Sequence, residues 1–266
     1  MQALAARFFA RHPALSLAAL GAADNARELD LRPAGIPVEF LPAEQHGALA
    51  RQYLELNQLA FGKLGLPNWV LSDLYLQPGA IGLLRCPARM LNETSRQLLR
   101  LPDEEQVIAA AYYAAPTLTP GQFIGVSLLS FLPGIHAGAW VKALTLKMLG
   151  ARRMRGIAQW NNLSLRVHTR LGPLRLVGHV PGVHDYVERS FLYEMDLVDE
   201  ARQVAAMERR FLLQPTLRLS ASDSPALGAL LRRAEAGEVL YLIPPGLEGG
   251  EIHVHEGPLP SRAGGL

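Results

Sequence analysis

Phe131-Leu-Pro-Gly-Ile-His-Ala-Gly-Ala-Trp-Val-Lys-Ala-Leu144 joins two stretches of different periodicity. Ahead of it, Phe123 to Leu132 is apolar and partly β-branched, and reads as a buried strand. Behind it, Val141, Leu144 and Met148 recur at i, i+3 and i+7, one face of a helix that Gly150 caps. The joint is made of small residues: Gly134, Ala137, Gly138 and Ala139. A strand that enters a helix this way presents unpaired main-chain N–H groups at the positive helix end, which suits phosphate; the same pattern also serves an ordinary strand-to-helix turn. Met154 to Trp160 reads as the next strand. Strand, helix and strand, with a crossover of about 20 residues, predict a βαβ unit with parallel strands.

Upstream, Val107 to Ala115 is a strand, and Pro116-Thr-Leu-Thr-Pro-Gly121 turns it into an antiparallel hairpin with Phe123 to Leu132. Ala80 to Cys86 is a further strand. Pro87 to Leu101 has helical spacing, with Met90, Leu91, Leu98 and Leu99 on its buried side. Glu44 to Phe61 is a helix with Leu49, Tyr53, Leu56 and Ala60 on one face, and a second helix follows from Pro67 to Leu74. Val38-Glu-Phe-Leu41 is a short strand. Residues 1–37 read as an N-terminal helical segment and an extended link, with Leu4, Phe8 and Phe9 on one side. Arg7 and Arg11 ahead of Ala14 to Leu20 imitate a short signal peptide, but an amphipathic helix is the preferred reading.

Composition narrows the function classes. A net charge of +2 with scattered arginines does not argue for nucleic acid. Cys86 is the sole cysteine, so an internal disulfide and a cysteine-cluster metal site are excluded, and a reducing cytoplasm fits. No window reaches the ~18 apolar residues of a membrane span. His179 and His184, and His253 and His255, are pairs without a third ligand in a metal spacing, so no metal is expected and surface exposure is the reading for His253 and His255.

The stretch Asn161-Asn-Leu-Ser-Leu-Arg-Val-His-Thr-Arg-Leu-Gly172 decides the reading. It resembles the GNAT (Gcn5-related) N-acyltransferase pattern Asn-x-x-Ala/Ser-x-x-x-Tyr-x-Lys/Arg-x-Gly-Phe, with Asn161, Ser164, His168, Arg170 and Gly172 in place and Pro173 where Phe is usual. The Phe131–Leu144 joint resembles that superfamily's acyl-CoA loop: Phe131 and Pro133 take the Val-x-Pro places, His136 the Arg/Gln place, and Ala139 and Val141 the two glycine places. The order of elements agrees over roughly residues 38–198. The resemblance implies an α/β (α+β) fold: a mixed, mostly antiparallel sheet, splayed at the acyl-CoA site and flanked by helices.

It also implies an acyl-CoA-dependent N-acyltransferase that passes an acetyl or other acyl group from CoA to an amine by direct attack. Variants are a long-chain enzyme fed by acyl-CoA or acyl carrier protein, and a non-catalytic CoA-binding or interaction module. By resemblance, the backbone of His136, Ala137, Gly138, Ala139, Trp140 and Val141 holds the pyrophosphate. Ala can stand where Gly is usual if φ stays negative. Lys142 either supplies a cation or sits at a solvated helix start. Ser130, Phe131 and Leu132 pair with the pantetheine arm as an added strand would. Asn161 hydrogen-bonds that arm or a splayed backbone and doubles as an N-cap, and Ser164 belongs to the same cofactor-binding set. His168 takes the place of the tyrosine that protonates the leaving thiolate, or is a half-exposed helix histidine. No base is marked by a motif; Glu194, Tyr112, Tyr113 and His179 are candidates by polarity. Phe191, Tyr193, Met195 and Leu197 alternate with Leu192, Glu194 and Asp196 on the closing strand.

Residues 199–257 read as a C-terminal extension: a helix over Glu200 to Leu213, then β-α-β-β, with Leu227, Leu230 and Leu231 facing inward and strands at Val239 to Ile243 and Glu251 to His255. It covers the sheet, forms a homodimer surface or narrows acceptor access. Residues 258–266 are expected to be a disordered tail.

Overall fold

The computed structural model describes residues 1–21, 38–40, 46–62, 65–66, 79–99, 105–132, 134–180 and 189–260. The expected link at 32–37, the helix from Pro67, Pro133, His184 and residues 261–266 lie outside them. The chain divides into two units, Gln2–Ala151 and Arg152–Leu266 with Met1.

In the first unit the elements are α1 (Gln2–Arg11), β1 (Ser16–Gly21), β2 (Val38–Phe40), α2 (His46–Phe61), β3 (Ala80–Pro87), a 3₁₀ turn (Ala88–Met90), α3 (Glu93–Leu99), β4 (Gln106–Pro116), β5 (Gln122–Ser130) and α4 (Ala137–Met148). The sheet order is β2-β1-β3-β4-β5. Only β1 and β2 pair in parallel within it; β1–β3, β3–β4 and β4–β5 are antiparallel. The expected hairpin is present, with Thr117 and Gln122 side chains bonded across its turn at 2.9 Å.

Two expectations fail locally. Ser16–Gly21 is a strand rather than part of a helix. Leu17, Ala18, Ala19 and Leu20 are all buried, and a continuous apolar run fits a strand covered on both faces as well as it fits a helix. The single helix expected from Pro87 to Leu101 is broken, because Leu91 is extended and the Asn92 side chain accepts from Ser95 N at 2.8 Å, starting α3 afresh.

The core gathers Leu20, Tyr53, Leu56, Ile81, Leu83, Ile108 and Leu129. Helix α4 packs on β3 and β4, and of its twelve residues only Lys147 is not buried. Its approach to β3 depends on Gly82, where a Cβ would lie 1.9 Å from Thr145 Oγ1. We expect Gly82→Ala to cost about 1–3 kcal/mol by overpacking, read as a lower Tm. Adding Thr145→Ala should recover part of the loss, and an unchanged Tm for Gly82→Ala alone would refute the account.

The second unit holds β6 (Arg153–Gln159), α5 (Ser164–Thr169), β7 (Leu174–His179), β8 (Ser190–Asp196), α6 (Glu200–Met207), β9 (Leu217–Ser220), α7 (Ser224–Glu235), β10 (Leu240–Glu248) and β11 (Glu251–Glu256). Its sheet runs β6-β8-β7-β10-β11-β9, antiparallel at every pairing. The β-α-β-β order expected after residue 199 is present, and β10 pairs with β7, so these strands continue the sheet of β6–β8. Helix α6 is shorter than expected. Arg209 turns left-handed at φ 60°, and Arg210 N and Phe211 N close on Ala205 O. Asp199 and Asp223 cap α6 and α7, accepting from Arg202 N and Ala226 N at 3.0 Å each. Among the described residues no helix is long and apolar enough to cross a membrane.

Candidate functional site

Strand β5 is irregular in its middle. Tyr113 pairs with Ser127, but the next residue, Ala114, pairs with Gly125, so Val126 is an extra residue. Such a bulge takes a main-chain N–H out of the ladder and re-aims it. Val126 is 40% exposed. Beneath it, Asn57 Nδ2 donates to Ser127 Oγ at 2.8 Å, and Leu66 N donates to Asn57 Oδ1 at 2.6 Å. Asn57 is fully buried. The Tyr53 phenol is buried beside this group without a hydrogen-bond partner among the described residues, and burial pushes its pKa up. The bulge thus rests on a polar chain anchored in α2. Sequence reasoning did not find it, and the available signal was Gly125 inside a strand pattern.

Past the bulge, Phe131 N still bonds to Ala109 O at 2.8 Å, and Asn92 Nδ2 donates to Phe131 O at 3.3 Å. Ser130 is exposed, Phe131 half-buried and Leu132 buried. The chain then turns at Gly134 and His136, which has φ 58° and opens α4 without a side-chain cap. Left-handed backbone in a residue other than glycine is held by its surroundings and recurs where ligands bind. Ala139 N and Trp140 N bond to His136 O at 3.0 and 3.1 Å. The amides of Ala137 and Gly138, ahead of them, have no intrahelical partner by helix geometry. The positive φ falls on His136, while Ala139 and Val141 lie inside the helix, so Cβ atoms are tolerated at both expected glycine places. Trp140 stacks on Phe8 of α1, ring centroids 4.6 Å apart.

Lys142 is not at the helix opening. It is fully buried, with Nζ 5.8 Å from the centroid of the Tyr112 ring, and burial pushes its pKa down to about 7. Neither alternative from the sequence, a phosphate cation or a solvated start, describes this place. Tyr112 and Tyr113 are both buried.

In the second unit Asn161 is exposed, and Leu163 rather than Asn161 is the N-cap of α5; ahead of it Asn162 Oδ1 accepts from Ser164 N at 2.8 Å. Ser164 is half-buried. His168 is buried at 7% exposure, with its ring 5.5 Å from that of Tyr193. Strand alternation sends Glu194 to the opposite face of β8 from Tyr193, where Arg155 Nε meets its Oε1 at 2.7 Å. His168 and Glu194 therefore do not share a face. His179 is half-buried, and its Nδ1 lies 2.8 Å from Glu235 Oε1. The bonds from the His179 backbone and ring hold the Glu235 carboxyl below its usual range. His253 is buried, against the expectation of surface exposure, because β11 lies between β10 and β9; burial lowers its pKa. Among the described residues no three His, Cys, Asp or Glu side chains are grouped to hold a metal ion.

No protein-family model matches the chain, and no curated protein matches it. Solved structures are similar to it. One, assigned as an N-acetyltransferase from Lactobacillus plantarum, is 12% identical with a TM-score of 0.40, covering 70% of this chain and 99% of its own. A Bacillus subtilis acetyltransferase in complex with CoA is 13% identical with a TM-score of 0.35, covering 56% of this chain and 92% of its own. The IAA acetyltransferase of Bacillus cereus is 10% identical with a TM-score of 0.31, covering 54% and 91%.

Proposed function

We propose that the chain is an acyl-CoA-dependent N-acyltransferase of the GNAT type, working on an amine in the cytoplasm. The observation that carries this reading is the run from β5, bulged at Val126, through left-handed His136 into the small first turn of α4. A donor thioester laid along Ser130 to Leu132 finds main-chain groups for its pantetheine arm. The N–H released at the bulge serves the thioester oxygen as charge builds on it. The first-turn amides of Ala137 and Gly138 take the pyrophosphate. The amine nitrogen attacks the carbonyl carbon, the C–S bond breaks, and the thiolate leaves to be protonated. The resemblance, rather than a geometry, assigns His168 as the acid for that step. Water is the proposed acceptor of the amine's proton, since Glu194 is engaged by Arg155.

That separation of His168 from Glu194 also favours a second reading, a CoA-binding module without turnover. Acetyl-CoA at 100 times its Kd should stabilise the protein by about 2.7 kcal/mol in either case. No rise in Tm with any acyl-CoA refutes both. Thiol release above background with an amine panel supports the enzyme; a Tm shift with background release supports the module.

A further inference from the structure

On the face of the second unit's strands that carries Glu194, side chains line up across five strands. Arg155 stands opposite Glu194, Glu194 opposite Arg175, Arg175 opposite Tyr241, and Tyr241 opposite His255. A cleft of about 220 Å³ opens on this face, and the charged residues lining it are Arg153, Arg175, Arg202, Glu194, Asp196 and Asp199. Buried Leu171 and Pro173 also line it. Gly172 is buried too, yet a Cβ there would meet no atom within 4 Å, so the hollow reaches the backbone.

Charge in this cleft is unevenly spent. Glu194 is held by Arg155 at 2.7 Å, and Asp199 lies 3.6 Å from Arg202. Arg153 is opposite Asp196 in the register and Arg175 is opposite Glu194, but among the described residues neither guanidinium makes a hydrogen bond or ion pair. Two guanidinium groups without protein partners offer the forked donors that grip a carboxylate. Glu194 and Asp196 in the same cleft repel a simple anion and attract an ammonium group. Three arginines against three carboxylates leave the lining neutral, which favours a ligand that is itself dipolar. The volume is below the ~300 Å³ of pockets for drug-sized molecules.

We infer that this cleft binds a small zwitterion of the amino-acid class, its carboxylate on Arg153 and Arg175 and its ammonium toward Glu194 and Asp196. The site stands apart from the acyl-transfer reading and holds whether or not the chain turns over acyl-CoA.

The test is calorimetric titration of the full chain, without CoA, by each of the twenty standard L-amino acids, with inorganic phosphate and putrescine as singly signed controls. At least one amino acid should bind with a micromolar to low-millimolar Kd and outbind both controls. Arg153→Ala/Arg175→Ala should weaken it at least tenfold with an unchanged circular dichroism spectrum. Arg175→Lys, which keeps the charge but loses the fork, should weaken it several-fold and stands in if the double variant does not fold. Absence of binding by every amino acid, phosphate or putrescine binding as tightly as the best of them, or an affinity within twofold of wild type in these variants would each overturn the inference.

Discussion

Lys142→Met is expected to raise the stability of the protein at pH 7 by about 2–4 kcal/mol. That corresponds to a Tm gain on the order of 5–15 °C for a chain of this size. Lys142 is fully buried between α4 and the β3–β4 face, and the Tyr112 ring, 5.8 Å from Nζ, offsets only part of the lost hydration. Methionine fills a similar unbranched volume without a charge to desolvate. The sign with pH follows from linkage. Unfolded, the lysine keeps its proton up to about 10.5; folded, burial lowers that to about 7. Between those values the unfolded chain binds the extra proton, so wild-type stability should rise with pH by about 1 kcal/mol per unit. Below pH 7 the ammonium is charged in both states and the full penalty remains. Urea unfolding of both proteins at pH 6.5 and 9.5 measures this: the advantage of Lys142→Met should be large at pH 6.5 and shrink at 9.5. A variant less stable than wild type at both pH values would contradict the burial penalty.

The same lysine shows where sequence reasoning stops. Val141, Leu144 and Met148 mark α4 correctly as a helix with an inner face. A helix covered on nearly all sides has no polar face to assign, and a lysine inside it is read as solvated by residue type alone. The β4–β5 hairpin was legible because both its strand pattern and its turn residues were unambiguous. Residues 17–20 were not, since four apolar residues in a row carry no period. The alternation along β8 was readable from Phe191 to Asp196, but which face α5 covers depends on a contact between His168 and Tyr193, 25 residues apart. That contact decides that Glu194 and His168 are separated.

If the chain is the acyl-CoA-dependent transferase proposed above, deleting Val126 should leave CoA binding in place and reduce acyl transfer by about 10²–10³-fold, the loss seen when one oxyanion donor is removed. The bulge exists because β5 has one more residue than β4 between Gly125 and Ser127, and the deletion returns the ladder to even pairing. A backbone donor cannot be removed by changing a side chain, so deletion is the direct probe. Asn57→Ala acts on the same feature from below. It takes the 2.8 Å bond from Ser127 and the 2.6 Å bond from Leu66, leaving the bulge in place but loosely held. Its loss should be smaller, about 10-fold, in keeping with the sensitivity of reacting geometry to small displacements. Both variants should keep the rise in Tm with acetyl-CoA, which separates a catalytic defect from failure to fold, and KM for acyl-CoA should change far less than kcat. If the deletion variant binds acetyl-CoA and turns over within threefold of wild type, the bulge is not the oxyanion donor, and the donor must be sought nearer the α4 opening.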